Sequence, residues 1–126
     1  MDAVIKSGSY DIVCSGVAFT FEGEPLSIEI QDAQSGQRAF LIRFLFIYDT
    51  EHTNYAFQML PLPDEHCTEI RLYNYEATAG SGVVNPIRIA TNSAGSVLWL
   101  VFMVAAWNGR MGKKIEYTVF RSQEAR

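Results

Sequence analysis

Alternation of apolar and small or polar residues constrains the fold of this chain more than any other feature. Two clear cases are the segments 17–21, Val-Ala-Phe-Thr-Phe, and 26–30, Leu-Ser-Ile-Glu-Ile. Strict alternation is typical of a β-strand with one face on a core and the other toward water, so the apolar rows are expected to face the core. No window sustains apolar residues at helical spacing with capping residues, so no helix longer than two turns is expected.

Turn-forming residues separate eight or nine such strands at short, regular intervals. The segment 22–25, Glu-Gly-Glu-Pro, is one example, and a short piece at residues 3–6 would be a first edge strand. Ser15-Gly16 is interpreted as a bend or bulge. Because the connections are too short for crossovers, antiparallel pairing is expected. The sequence therefore predicts an all-β chain, an antiparallel β-sandwich, with a small closed β-barrel as the alternative.

Two strands are apolar almost throughout. Residues 39–48 contain Arg43 as their sole charge, and residues 97–106 contain none. Strands of this kind are covered on both faces, so both are predicted to be central in their sheets. The uncharged run at residues 97–106 covers ten residues, whereas a membrane-spanning helix needs about 20. No membrane anchor is therefore expected.

Length and composition favour a single folded domain over residues 1–126. Hydrophobic residues make up 48% of the chain and charged residues 19%, which excludes intrinsic disorder. Two cysteines cannot hold a disulfide scaffold together. Cys14 and Cys67 are interpreted as reduced thiols, with pairing left open. Together with the lack of a secretion signal, this favours a cytoplasmic protein.

The charge balance disfavours nucleic acid as a partner. Ten basic residues against 14 acidic ones give a net charge of −4, and phosphate backbones are bound by clustered Lys and Arg. One local basic cluster, Arg110 with Lys113 and Lys114, is interpreted as a solvated hairpin tip.

The most reactive-looking cluster is His66-Cys67, preceded by Asp64 and Glu65. Adjacent residues on a strand point to opposite faces, which disfavours a Cys–His nucleophile and base. The spacing matches no zinc pattern. The alternative, a polar loop leading into a strand whose cysteine enters the core, is preferred.

Two further segments have simple structural explanations. Asp49, Glu51 and His52 suit a solvated turn. The segment 79–82, Ala-Gly-Ser-Gly, lacks the following helix that a phosphate-binding loop needs. We therefore expect no catalytic residues, no metal and no cofactor, and not an enzyme.

An aromatic face offers the best candidate site. Arg71, Tyr73 and Tyr75 share one face of a strand, beside a loop that holds Gly80 and Gly82. Tyrosine and arginine are enriched at protein interfaces, so these five residues are predicted to bind a partner. The competing interpretation is that the tyrosines fill the core.

Four segments carry a resemblance to a known family: 72–75 (Leu-Tyr-Asn-Tyr), 80–82 (Gly-Ser-Gly), 85–89 (Asn-Pro-Ile-Arg-Ile) and 116–120 (Glu-Tyr-Thr-Val-Phe). Roughly the C-terminal half resembles a family of short, uncharacterised bacterial all-β domains. The resemblance implies an all-β domain with no established activity, and it assigns no functional residue.

These observations predict a non-enzymatic, protein-binding β-sandwich of a bacterium or its phage. It would be an accessory, regulatory or inhibitory partner, for example in defence, anti-defence or toxin neutralisation, or it would self-associate as an oligomer. A small-ligand or carbohydrate-binding module is the alternative, and a hydrolase or metal enzyme using His66 and Cys67 is the third class. More apolar strand faces are present than one small core needs, which favours a second protein chain against a sheet.

Overall fold

The computed structural model describes residues 10–31, 40–49, 51, 56–62, 66–73, 82–91, 95–106 and 112–123. Eight strands form two four-stranded sheets, with the order β1-β8-β7-β6 in the first sheet and β2-β3-β5-β4 in the second. The strands are β1 (Tyr10–Phe21), β2 (Leu26–Ile30), β3 (Phe40–Ile47), β4 (Ala56–Leu62), β5 (Cys67–Tyr73), β6 (Gly82–Thr91), β7 (Ser96–Ala106) and β8 (Gly112–Gln123).

The β-sandwich prediction is confirmed. The described residues contain no helix, and their two sheets do not close into a barrel. No helix in this part of the chain therefore has the length and apolar character needed to cross a membrane. The predicted edge strand at residues 3–6 lies outside the described residues.

One strand pair differs from the expectation of antiparallel pairing. β3 and β5 pair in parallel, with Leu41 opposite Cys67 and Ile47 opposite Tyr73. β4 follows β3 along the chain but pairs antiparallel with β5. Two successive reversals therefore make β3 and β5 run in the same direction, and β5 inserts between β3 and β4. The prediction overlooked that a strand can itself serve as the connection between two parallel strands.

The main core lies between the two sheets. Alternate residues of β3 are buried, and Phe44 meets Phe102 of β7 edge to face with ring centroids 5.0 Å apart. Both strands predicted to be central have a neighbour on each side. Among the described residues, the fully buried large side chains of this core are Phe44, Phe46, Phe102, Ile30, Ile42, Ile70, Leu72, Leu100, Ile115, Val104 and Val119.

A second, smaller cluster lies on the outer face of the first sheet. Val97, Trp99 and Phe120 are buried there, and the ring of Tyr10 meets Phe120 at 5.3 Å. The indole Nε1 of Trp99 donates a hydrogen bond of 2.8 Å to Ser122 Oγ. One end of this outer face is therefore covered, which explains why β7 is apolar on both faces.

The orientation of β1 contradicts the sequence prediction. Val17, Phe19 and Phe21 face outward and are 52%, 47% and 36% exposed, whereas the inward positions hold small residues such as Gly16 and Ala18. A Cβ at Gly16 would stand 2.7 Å from Tyr117 Oη. Because Tyr117 and its neighbours on β8 already fill the inner side, only small residues fit there.

Two smaller expectations in this region are also wrong. The irregularity in β1 falls between Ile12 and Cys14, not at Ser15-Gly16. Lys113 is not on a solvated tip, because it is only 3% exposed and its ammonium group stands 5.9 Å from the ring centroid of Phe46. Lys113 points inward and Lys114 outward because consecutive strand residues face opposite sides. Arg110 lies outside the described residues.

Candidate functional site

The outer face of the second sheet carries a charged cluster that the parallel pairing creates. β3 and β5 bring Arg43 opposite Glu69. The carboxylate of Glu69 accepts hydrogen bonds from Arg43 Nε at 3.1 Å and from Arg71 Nε at 2.8 Å. We call these three residues the Arg–Glu–Arg cluster. With one carboxylate and two guanidinium groups, the cluster itself carries a formal charge of +1.

Glu69 is held ionised by this arrangement. The side chain is only 9% exposed, and burial alone would raise the pKa of its carboxyl group. The hydrogen bonds from Arg71 and Arg43, with their charges, outweigh burial and hold the pKa below its usual range. The same contact with Glu69 raises the pKa of Arg71. The cluster therefore stays fully charged at neutral pH.

The predicted partner-binding residues are only partly brought together. Arg71 and Tyr73 lie on the outer face of β5, opposite the buried Ile70 and Leu72, as predicted. Tyr73 Oη donates a hydrogen bond of 3.2 Å to Gln58 Oε1. Gly82 begins β6, in the other sheet.

Tyr75 and Gly80 lie outside the described residues. Arg71 and Tyr73 direct polar groups to neighbours within the chain. Their role in binding a partner stays a prediction.

The outer face of the first sheet carries a surface that the sequence prediction missed. Of the seven large hydrophobic residues with the greatest exposure among the described residues, five lie on this face. We call them the apolar face: Ile12, Val17, Phe19, Phe21 and Met103.

The apolar face surrounds a polar centre. Glu116 of β8 lies between Val17 and Met103 in the sheet register. Lys114 Nζ stands 3.4 Å from the Glu116 carboxylate. Beside this ion pair, a shallow depression of about 370 Å³ is lined by residues that include Val101 and Thr118. The arrangement suits a flat partner surface that covers apolar side chains around one charged pair.

A sequence signal for this surface was present. Between Asp11 and Glu22, β1 contains no charged residue. When both faces of a strand are uncharged, alternation alone does not show which face turns toward water. The sequence therefore left open which row of β1 is exposed.

The residues considered for catalysis do not form a shared site in the described part of the chain. His66 adopts a φ of 51°, and its carbonyl oxygen accepts a hydrogen bond from the backbone N–H of Leu41 at 2.8 Å. Cys67 is 2% exposed, so its burial is as predicted, but it lies opposite Leu41 in the outer row of β5, in line with Glu69, and outside the main core cluster. Asp64 and Glu65 lie outside the described residues. Within the part of the chain that the structure describes, no three His, Cys, Asp or Glu side chains are grouped so that they could hold a metal ion.

The structure also describes the turn at Asp49 and the two cysteines. Asp49 Oδ1 accepts a hydrogen bond of 2.9 Å from the backbone N–H of Glu51, as expected of a turn; His52 lies outside the described residues. Cys14 and Cys67 do not form a disulfide with each other. Partial burial raises the pKa of the Cys14 thiol.

Comparison with known families gives one result. A family model matches residues 4–122, which include nearly all of the eight strands. The chain belongs to the DUF6864 family, a domain of unknown function. This agrees with the expectation of an uncharacterised family. No curated protein and no solved structure matches the chain, so DUF6864 membership assigns no role to any residue.

Proposed function

We propose that this DUF6864 domain is a non-enzymatic, protein-binding β-sandwich of the bacterial or phage-infected cytoplasm, with an accessory, regulatory or inhibitory role. The apolar face is the observation that carries this proposal. Its five exposed apolar side chains share one face of one sheet, and large apolar patches rimmed by polar residues are typical of interaction sites, whereas single scattered ones are not.

The energy available from covering this face is substantial. Complete burial of a large apolar side chain contributes about 1.5–3 kcal/mol, so covering five half-exposed ones would contribute roughly 4–7 kcal/mol. Association itself costs several kcal/mol. The apolar face alone therefore supports moderate affinity, and a polar contact at the Lys114–Glu116 pair would add specificity.

The Arg–Glu–Arg cluster is less suited to serve as the main contact. The carboxylate of Glu69 is satisfied within the chain by two arginines. A partner would have to compete with these contacts to engage the same Nε groups. We therefore place the principal binding surface on the first sheet.

Site-specific photo-crosslinking tests this proposal. A photoreactive amino acid replaces Phe19 in the full chain expressed in its source cell, and Glu29, an exposed residue of the second sheet, is the matched control position. We expect a discrete cross-linked protein from position 19 and none from position 29. The captured protein, once purified, should bind wild type at least about fivefold more tightly than the Met103→Ser variant, since one hot-spot side chain contributes more than about 1 kcal/mol.

Two results would contradict the proposal. One is the absence of a protein cross-link from position 19, and the other is an identical set of cross-links from both positions. Equal affinity of the purified partner for wild type and Met103→Ser would remove the apolar face from the assignment.

A further inference from the structure

We propose that the partner protein of this domain presents an arginine to the apolar face, and that its guanidinium group enters the depression beside Glu116. This inference rests on the proposed function, because it names the chemistry of the contact at the centre of that face. The charge of the lining, the contacts of Glu116 and the treatment of another carboxylate in the same chain support it.

The depression of about 370 Å³ lies over β8, between β1 and β7. Among the described residues that line it, Glu116 is the only charged one. Lys114, the cation that stands near Glu116, is not part of the lining. The uncharged outward residues of the lining are Ser15, Val17, Val101, Met103 and Thr118. A side chain that enters the depression therefore meets a carboxylate and no ammonium group.

The register of the first sheet explains this separation. Lys114, Glu116 and Thr118 follow one another on the outer face of β8, because alternate strand residues share a face. Across the sheet, Glu116 lies between Val17 and Met103, which are 52% and 47% exposed. The depression lies on the Thr118 side of Glu116, and Lys114 lies on the opposite side. A second cation can therefore approach the carboxylate without meeting the first.

The carboxylate of Glu116 has unused acceptor capacity. Lys114 Nζ stands 3.4 Å from Glu116 Oε2, beyond the range of about 2.7–2.9 Å typical of a charge-assisted hydrogen bond. Within the described part of the chain, Glu116 Oε1 has no hydrogen bond or ion pair. The side chain is 55% exposed, so water solvates it in the unbound protein. A partner that covers the apolar face removes this water, and an ionised carboxylate is costly to bury without a donor.

The second sheet shows how this chain satisfies a carboxylate that is covered. Glu69, with a side chain only 9% exposed, is bonded to Arg71, two residues along the same strand, and to Arg43 on the neighbouring strand. Glu116 has the counterpart of the first cation in Lys114, two residues away on β8. Its neighbours on the adjacent strands are apolar. A cation from the partner would complete the same arrangement of one carboxylate between two cations.

Arginine suits this position better than lysine. Its guanidinium group is more weakly hydrated than an ammonium group and carries several N–H donors in one plane. The arginine stem would pack against Val17 and Met103, and the hydroxyl oxygen of Thr118 is placed to accept a further N–H. Because the depression is shallow and surrounded by the apolar face, a side chain borne by a protein surface is favoured over a small molecule. The net charge of −4 favours a basic partner.

Selection from a display library of random peptides tests this chemistry without the native partner. The full chain is the immobilised target, and peptides that also bind Glu116→Gln are removed. We expect the enriched peptides to share an arginine beside apolar residues. Replacing that arginine with glutamine should weaken binding to wild type about 30-fold or more, as expected for a desolvated charge pair. The same replacement should change binding to Glu116→Gln little, because the carboxylate is already absent.

Two matched variants control for charge and position. Glu29→Gln removes an exposed carboxylate from the second sheet and should bind the peptides like wild type. Lys114→Glu combined with Glu116→Lys keeps both charges but moves the carboxylate out of the depression. This exchanged variant should lose as much affinity as Glu116→Gln, and circular dichroism shows whether each variant is folded. If the folded exchanged variant binds like wild type, net charge rather than Glu116 attracts the peptides and the inference is wrong.

Other outcomes would also overturn the inference. These are the absence of enriched peptides, enrichment of peptides without arginine, and equal binding of the peptides to wild type and Glu116→Gln. Sedimentation of wild type tests for a second copy on the same face. A dimer that dissociates in Glu116→Gln would show that another copy of this chain, and not a different protein, covers Glu116.

The protein captured by photo-crosslinking from position 19 separates this inference from the proposed function. Its affinity for Glu116→Gln should be about 30-fold weaker than for wild type. If it binds both equally while Met103→Ser weakens binding, the proposed function stands and the arginine contact is wrong. If arginine peptides are selected but no protein is cross-linked, the arginine contact stands and the proposed function fails.

Discussion

Gly16 and Gly23 are glycines for different physical reasons. At Gly16 the space is occupied, because a Cβ would stand 2.7 Å from Tyr117 Oη. At Gly23 the space is open, but φ is +86°, a backbone conformation that other residues rarely adopt. Gly23 is the third residue of a turn in which the N–H of Glu24 donates to the carbonyl of Phe21 at 3.0 Å. One position is fixed by packing and the other by the backbone.

This difference is testable with two alanine variants. Gly16→Ala should lower the free energy of unfolding by about 1–3 kcal/mol, as overpacking does. Tyr117→Phe should recover part of that loss, because it removes the atom nearest the new methyl group. Gly23→Ala should cost about 1 kcal/mol through strain and gain nothing from Tyr117→Phe. Urea unfolding of the two double-mutant cycles measures both couplings. Equal coupling in the two cycles would contradict the assignment.

At the level of strands, β3 and β5 are joined by more than their backbone ladder. Arg43 lies on β3, Glu69 and Arg71 lie on β5, and the Glu69 carboxylate bonds to both guanidinium groups. The parallel register is what sets Arg43 beside Glu69. The cluster should therefore stabilise this strand pair in particular.

Glu69→Gln tests that contribution. Glu69→Gln should lower the free energy of unfolding at neutral pH by about 1–3 kcal/mol, because the amide has no charge and offers one acceptor oxygen to two guanidinium donors. The pKa of Glu69 is lowered in the folded state, so its stabilisation is present above the unfolded value of about 4.3 and is lost as pH falls through the folded value. Wild type and variant should therefore converge in acid.

Glu29→Gln provides the control for Glu69. Glu29 is exposed on β2 of the same sheet, and the same substitution there should change stability little. Urea unfolding at neutral and acidic pH compares the three proteins. A difference between wild type and Glu69→Gln that is independent of pH would mean that packing, not charge, is what the substitution removed.

On the scale of the whole molecule, the two sheets meet mainly through apolar side chains, and a hydrogen bond also crosses between them. Thr68 Oγ1 of β5 donates to the carbonyl oxygen of Ile89 in β6 at 3.1 Å, in a buried position. The irregular register of β6 between Arg88 and Ala90 frees backbone groups from its own ladder. This hydrogen bond therefore connects the edge strand β6 of the first sheet to the central strand β5 of the second.

Thr68→Val should weaken the sandwich as a unit. The valine keeps the shape but leaves the Ile89 carbonyl without this donor, at a cost of about 1–3 kcal/mol. The slope of the free energy of unfolding against urea concentration should stay unchanged, because the same surface is exposed on unfolding. Thr91→Val, at an exposed position of β6, should be nearly neutral. Equal effects of the two substitutions in urea unfolding would show that the bond contributes nothing specific.

The sequence by itself determined the all-β class, the two central strands, the inward row of β2 and the outward face of β5. In these strands one face is apolar and the other carries polar groups, so local alternation is sufficient. Ile70 and Leu72 against Arg71 and Tyr73 is one such case. The sequence predicts the orientation of a strand wherever only one of its two faces is apolar enough to be buried.

Tertiary structure alone decided the parallel pairing of β3 with β5, the contact of Arg43 with a residue 26 positions away, and the outward orientation of β1. Each depends on which distant strand becomes the neighbour, and alternation contains no information about that choice. On β1 both faces are uncharged, so the side chains of β8, above all Tyr117, determine which row fits inside. The exposed apolar row of β1, on which the proposed function rests, is therefore a feature that the local sequence pattern could not assign.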